Sequence, residues 1–257
     1  MLESLFRASL EAAKARELLV PYSELDASVS LLLPPPDAYS VLGKSDRIKL
    51  IAEIKRASPS RGFLAEISHP GRMAKDYESL GAHAVSVLTE ESGFAGSLDD
   101  LVAVSREVSI PTLRKDFIST EYQVLEARAA GASFVLLILS HLSKVQAENL
   151  LAFTHQLNMA ALVETNSESE VDDALDIGSR LIGINTRDLK TFQTDITLFE
   201  RLALRLPEGV VRVAESSVKS VEDVRRYREA GADVVLVGEA LVTGDYQKLI
   251  PAFVSVA

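Results

Sequence analysis

The chain has 257 residues, no cysteine, 47% hydrophobic and 25% charged residues, and a formal net charge of −10. Its length suits a one-domain α/β barrel of roughly 250 residues, and its composition excludes a disordered chain, a disulfide framework and a thiolate metal site. The acidic balance opposes nucleic-acid binding and no apolar run approaches the ~20 residues of a membrane span. Glu3 and Arg7 break up the apolar core a secretory leader would need, so a cytoplasmic protein with neither nucleic-acid nor membrane partner is expected.

Residues 1–48 stand outside the pattern that follows them. Leu2, Leu5, Leu10 and Leu18-Leu19 predict a helix that stops by Pro21, and Pro34-Pro35-Pro36 predicts a stiff, extended connection. Such an extension either plugs the bottom of a barrel or covers its top, and the pattern does not choose.

From Lys49 onward, β-branched and aliphatic runs alternate with helix-patterned stretches. Strands are predicted at Lys49–Lys55, Ala84–Glu90, Pro111–Phe117, Phe134–Ser140, Met159–Thr165, Leu181–Arg187, Val211–Ser217 and Val234–Glu239. Helices are predicted between them, for instance over Ser119–Ala130, Ser143–Gln156 and Ser220–Ala230, each opening on a serine cap. Gly81, Gly131, Gly178 and Gly231 recur where a helix ends just before the next strand, a position that favours the left-handed conformation. One strand per repeat predicts a parallel sheet, and eight repeats favour an α/β TIM (β/α)8 barrel over a doubly wound open sheet. The expectation is a single barrel domain over 1–257, with 1–48 as its N-terminal helical extension.

In such a barrel the C-terminal strand ends form the active face. Here they bring Glu53 and Lys55, Thr89 and Glu90, Lys115 and Asp116, Glu164, Asn185 and Arg187, Glu215 and Ser216, then Gly238 and Glu239. Charged groups reaching back into apolar runs cost desolvation unless they are paired. Glu53 and Lys55 share a strand face and can pair, which leaves both a settled ion pair and a catalytic pair open. Lys115 and Asp116 are adjacent and therefore face opposite ways, as does Arg114, which is predicted to matter far less than Lys115. Ser58-Pro59-Ser60 and Gly62 read as a loop beside the mouth. The four histidines, His69, His83, His141 and His155, show no ligand spacing, and no metal or other cofactor is expected. Backbone amides after strands seven and eight, at Ser216-Ser217 and Gly238-Glu239, are the expected phosphate site.

Several of these segments, in order, resemble the strand ends of indole-3-glycerol-phosphate synthases. They are Ile51-Ala52-Glu53-Ile54-Lys55-Arg56-Ala57-Ser58-Pro59-Ser60-Arg61-Gly62, Val87-Leu88-Thr89-Glu90 with Phe94-Ala95-Gly96-Ser97, and Leu113-Arg114-Lys115-Asp116-Phe117 with Tyr122-Gln123. Ile182-Gly183-Ile184-Asn185-Thr186-Arg187-Asp188-Leu189, Ala214-Glu215-Ser216 and Leu236-Val237-Gly238-Glu239 follow. The resemblance implies a lyase of tryptophan biosynthesis that needs no cofactor. Its substrate would be 1-(2-carboxyphenylamino)-1-deoxyribulose 5-phosphate, whose aryl ring attacks its own ribulose carbonyl before carbon dioxide and water leave.

The resemblance also assigns roles. Lys115 would be the general acid, Lys55 would lie near the departing carboxylate, Glu164 would be the general base, and Glu53 would orient groups and stabilise positive charge. Asn185 and Ser216 complete the catalytic set by holding the substrate. Arg187 and Glu215 would give close support. Apart from the resemblance, Ser58 offers a hydroxyl for ligand contacts, Phe94 and Phe117 can wall the aryl ring or belong to the core, and Ser216, Ser217, Gly238 and Glu239 stand at the expected phosphate site. Association with other tryptophan-pathway enzymes is implied as well. The sequence departs from the family pattern at Ser217, where glycine is usual, at Thr186, where asparagine is usual, and at Thr165-Asn166 after Glu164. Two alternatives are weighed beside this reading: an isomerase or epimerase of a phosphorylated sugar on the same barrel, and a catalytically silent barrel subunit.

Overall fold

The computed structural model describes residues 2–187 and 194–257, so Asp188 and Leu189 of the segment that begins at Ile182 lie outside the described residues. Eight strands form one closed parallel barrel: β1 (Lys49–Ile54), β2 (Ala84–Leu88), β3 (Thr112–Lys115), β4 (Phe134–Ile138), β5 (Ala160–Thr165), β6 (Leu181–Asn185), β7 (Val211–Glu215) and β8 (Val234–Val237). Each pairs with its sequence neighbour, and β1 closes the ring on β8 in the register Lys49↔Val234. That pairing removes the open-sheet alternative. Except for β5, the strands stop one or two residues short of their predicted C-terminal ends, because the chain leaves the ladder there to build the mouth loops.

Thirteen helices accompany the strands among the described residues. Three precede β1: α1 (Leu2–Glu17), α2 (Tyr22–Val29) and α3 (Ala38–Leu42). Then come α4 (Pro70–Ser79), α5 (Glu91–Phe94), α6 (Leu98–Glu107), α7 (Glu121–Ala129), α8 (Lys144–Gln156) and α9 (Glu168–Asp176). The last four are α10 (Ile196–Ala203), α11 (Val221–Glu229), α12 (Glu239–Thr243) and α13 (Tyr246–Val254). Ser143 and Ser220 cap their helices as expected, while Thr120 and not Ser119 caps α7, in a capping box with Gln123. Gly81, Gly131, Gly178 and Gly231 all have positive φ, from 79° to 104°, so the repeated glycine marks a repeated left-handed turn.

Strand alternation sorts side chains into two cores. Leu50, Ala52, Val85, Val135, Ile182 and Val235 face out into the helix layer. Ile51, Leu113, Leu136, Leu162, Val213 and Leu236 fill the barrel. Because both faces are buried, the strands read as nearly continuous apolar runs.

The N-terminal extension does both things the sequence left open. Ala38 and Leu42 on α3 are buried with Ala84, Phe134, Val211 and Val234 at the barrel floor, where the Tyr39 hydroxyl accepts the Ala161 amide at 3.2 Å. At the other end, α1 lies over the mouth. Its Phe6 ring stacks on His141 with centroids 3.6 Å apart and meets Phe117 edge-on at 5.2 Å. Ser9 Oγ donates to Asp116 Oδ1 at 2.7 Å.

Candidate active site

A cavity of about 510 Å³ opens at the C-terminal ends of the strands beneath α1, within the size range of small-molecule sites. Glu53, Lys55, Lys115, Asn185, Glu215 and Ser216 line it, as do Ser58, Phe94, Phe117, Arg187, Ser217, Gly238 and Glu239. Of the residues expected to be catalytic, to contact substrate or to bind phosphate, Glu164 alone is missing from the wall; it is buried, 3.8 Å from Lys115 and hydrogen-bonded to Asn185, while the strand-end residues Thr89, Glu90 and Asp116 also lie off the wall.

Strand geometry gathers five ionisable groups, Glu53, Lys55, Lys115, Glu164 and Glu215. Glu53 and Lys55, two apart on β1, form an ion pair of 2.7 Å, and Ser86 on β2 lies 3.5 Å from the same carboxylate. Lys115, at the end of β3, lies 3.8 Å from Glu164 Oε2 across the barrel. Asn185 Nδ2 donates to Glu164 Oε1 at 3.1 Å, and Asn185 Oδ1 accepts from Ser216 Oγ at 2.9 Å and the Arg187 amide at 3.0 Å. Asn185 thereby fixes an acid, a hydroxyl and the start of the next loop at once.

Two glycines make room for the acids. A Cβ on Gly183 would overlap the Glu215 carboxylate, and one on Gly238 would overlap that of Glu53. Gly238 has negative φ, so at this position the sequence needs small volume and not backbone freedom.

The electrostatics divide the acids. Burial alone would raise Glu53, but Lys55 and Lys115 outweigh it and hold the carboxyl below its ordinary range. Burial opposes the Lys115 charge too, yet Glu164, Glu215 and Glu53 raise its pKa and keep it cationic. Burial, followed by the charge of Glu164, pushes Glu215 well above the carboxylate range. The raised Glu215 favours its neutral form, while the lowered Glu53 favours its ionised one. Oε2 of Glu164 and Oε1 of Glu215 have no hydrogen-bond partner among the described residues, and the same holds for the buried Ser58 Oγ. Glu215 and Ser58 line the cavity and can be partnered by a ligand there, whereas Glu164 Oε2 faces Lys115 at 3.8 Å.

The opposite face of β3 corrects one expectation. Arg114 is fully buried and not a bystander: its guanidinium pairs with Asp116 at 2.8 Å and Glu126 at 3.3 Å and donates to the Gln123 carbonyl at 2.6 Å. Asp116 therefore pairs with Arg114 and not with Lys115. Thr89 Oγ1 donates to Asp116 Oδ2 at 2.6 Å, and Glu90 accepts three amides at the start of α5, so these two rim residues serve structure.

Sequence reasoning also missed wall residues. Leu2 and Leu5 come from α1, whose position no periodicity reveals, and Arg61 and Lys219 come from loops. Lys219, three residues after Ser216, was legible as a cation beside an expected phosphate loop. Among the described residues no group of three or more His, Cys, Asp or Glu could hold a metal, and no helix is long and apolar enough to cross a membrane.

A closed (β/α)8 barrel with lysines set among carboxylates around a cavity at its C-terminal mouth has the architecture of a barrel enzyme with a small-molecule site. The comparisons give the particular family. Residues 2–253 match the family model described as indole-3-glycerol phosphate synthase. The indole-3-glycerol phosphate synthase of Leifsonia xyli subsp. xyli (strain CTCB07) is 52% identical over 245 residues, 95% of this chain and 94% of its own. That of Mycolicibacterium smegmatis (strain ATCC 700084 / mc(2)155) is 47% identical over 256 residues, 99% of this chain and 94% of its own. A solved N-acetylmannosamine-6-phosphate 2-epimerase from Clostridium perfringens superposes with a TM-score of 0.60 at 16% identity, covering 77% of this chain and 89% of its own, and shares the fold. The chain belongs to the indole-3-glycerol phosphate synthase family, and its activity is that family's carboxy-lyase step of tryptophan biosynthesis, ring closure with loss of carbon dioxide and water.

Proposed function

We propose that Lys115 is the acid of ring closure, with Glu164 behind it. When the aryl ring attacks the ribulose carbonyl, negative charge develops on the carbonyl oxygen. A lysine kept cationic by Glu164, Glu215 and Glu53 stabilises that charge and then transfers its proton to it. Glu164 lies within ion-pair distance of Lys115 and is oriented by Asn185, which suits it to take up protons as the intermediate loses water. Lys55, held by Glu53, faces the carboxylate that leaves as carbon dioxide, and the Glu53 carboxylate balances positive charge that appears on the ring nitrogen. Glu215, protonated, donates a hydrogen bond to a substrate oxygen instead of adding a third negative charge. Phe94 and Phe117, 6.1 Å apart, wall the aromatic end together with Ser58 and Arg187.

The phosphate end is assigned to the backbone of Ser216-Ser217 and Gly238-Glu239. Among the described residues the amides of Ser217 and Val218 meet no acceptor, which leaves them for an anion. The Glu239 carboxylate cannot itself hold phosphate; it pairs with Arg61 at 3.6 Å, so its contribution is its amide. This reading makes 1–257 one catalytic unit in the cytoplasm, acting on a phosphorylated small molecule and placed to associate with other enzymes of the pathway.

The observation that carries the proposal is Lys115, a half-buried cation facing three acids at a cavity wall. The test is a Lys115→Met enzyme given the anilino-ribulose phosphate, with indole fluorescence as readout. Substrate should still bind and product should hardly appear; normal turnover would remove Lys115 from the mechanism.

A further inference from the structure

The turn after β7 is built in an unusual way. Ser216 and Ser217 have φ of 72° and 65°, two successive residues with a Cβ in the left-handed region that only glycine enters cheaply. Such a pair persists when its surroundings hold it. Here the surroundings are three hydroxyls. Thr186 Oγ1, just past β6, lies 3.1 Å from Ser217 Oγ, donates to the Glu215 carbonyl at 3.0 Å and meets the Tyr227 hydroxyl at 3.0 Å. The Tyr227 hydroxyl, on α11, also lies 3.3 Å from the Ser216 carbonyl and can give its one proton either to that carbonyl or to Thr186. Its ring is fully buried and fixed edge-on against Phe199 at 5.2 Å. Neither Thr186 nor Tyr227 lines the cavity, whereas Ser216, Ser217 and Val218 all do.

We propose that Thr186 and Tyr227 are positioning residues for the phosphate end of the substrate, clamping the Ser216-Ser217 turn through their hydroxyls in the conformation that presents the Ser217 and Val218 amides. The proposal rests on the assignment of that turn as the phosphate site and adds the parts that hold it. A strained turn released from its clamp relaxes toward ordinary backbone angles and turns its amides away. Because the phosphate is remote from the reacting carbons, the loss falls on binding more than on chemistry.

Two comparisons test it. Tyr227→Phe removes one clamp hydroxyl and keeps the buried ring. The KM for substrate and the inhibition constant of inorganic phosphate should both rise by about 3–10-fold, the worth of a typical hydrogen bond, with kcat changed much less. At position 217, Ser217→Ala keeps the strain and loses the hydroxyl, whereas Ser217→Gly loses both. Alanine should therefore weaken phosphate binding more than glycine, and Tyr227→Phe should do less damage in the Ser217→Gly background than alone. If Tyr227→Phe fails to fold, the alanine–glycine comparison decides by itself. Inhibition by phosphate that is unchanged in Tyr227→Phe, glycine at 217 as harmful as alanine, or a loss confined to kcat would each overturn the clamp. Should phosphate fail to compete even in the unaltered enzyme, the phosphate assignment falls first and the clamp with it.

Discussion

Strand β3 carries two buried charge clusters back to back, and they differ in how fully they are satisfied. On the outer face, Arg114 and Arg16 meet Asp116 and Glu126, two positive charges against two negative. Both oxygens of Asp116 are engaged, by Ser9, the Phe117 amide, Thr89 and Arg114. On the inner face, Lys115 and Lys55 meet three acids, and oxygens of Glu164 and Glu215 are left without a hydrogen bond among the described residues. Buried charge therefore does not mark a working site. Burial with acceptors left open beside a cavity does, because such a cluster is completed only when something enters.

The two faces should answer mutation in opposite currencies. Lys115→Met is expected to lower kcat by about 10²–10⁴-fold, the usual worth of a positioned general acid, with a smaller change in KM and little change in melting temperature. Steady-state indole fluorescence and calorimetry measure the two sides, and a large drop in stability with kcat preserved would reverse the comparison. Arg114→Met cannot serve as a harmless control. It leaves Asp116 and Glu126 facing each other's charge without their shared cation, which should cost about 3–5 kcal/mol in denaturant unfolding. A variant as stable as the parent would show that the outer cluster is not the structural one.

Glu215 sharpens the contrast through pH. Its folded pKa is raised, so the folded state favours the protonated acid; that contribution is full below the unfolded carboxyl value and is lost as pH rises through the folded value. Glu215→Gln abolishes the titration. Its melting temperature should therefore match the parent's in acid and exceed it above the elevated pKa. A gap that opened toward acid would contradict the raised pKa. The smallest effect is expected of Ser9→Ala, which takes one donor from Asp116 and should cost about 0.5–1.5 kcal/mol. If it abolished activity with stability intact, the outer network would belong to the catalytic machinery after all.

Much of this was legible in the chain because barrels write their fold in a repeat. Alternating runs and four helix-ending glycines mark the strands, and alternation by twos puts Glu53 with Lys55 and sets Lys115 apart from Asp116. What was hidden depends on contacts between distant segments. Arg114 reads as an outward polar residue until α7 supplies Glu126 and α1 supplies Ser9 and Arg16. Glu164 reads as a rim acid, yet its depth behind Lys115 and Asn185 is a matter of barrel stagger. The first 48 residues carry no period that says which end each helix serves. The departures at Thr186 and Ser217 read as two separate oddities in sequence, whereas in space they touch.

Gly183 and Gly238 bear on any attempt to move this chemistry elsewhere. The Glu215 and Glu53 carboxylates occupy the volume that a methyl group would fill on Gly183 of β6 and on Gly238 just past β8, so the placement of each acid is encoded partly as an absence on a segment that does not bear it. A designer who grafted Glu53, Lys55, Lys115, Glu164 and Glu215 onto another barrel with alanine at those two places would find the carboxylates displaced by the host's own walls. The transferable unit is five side chains and two holes.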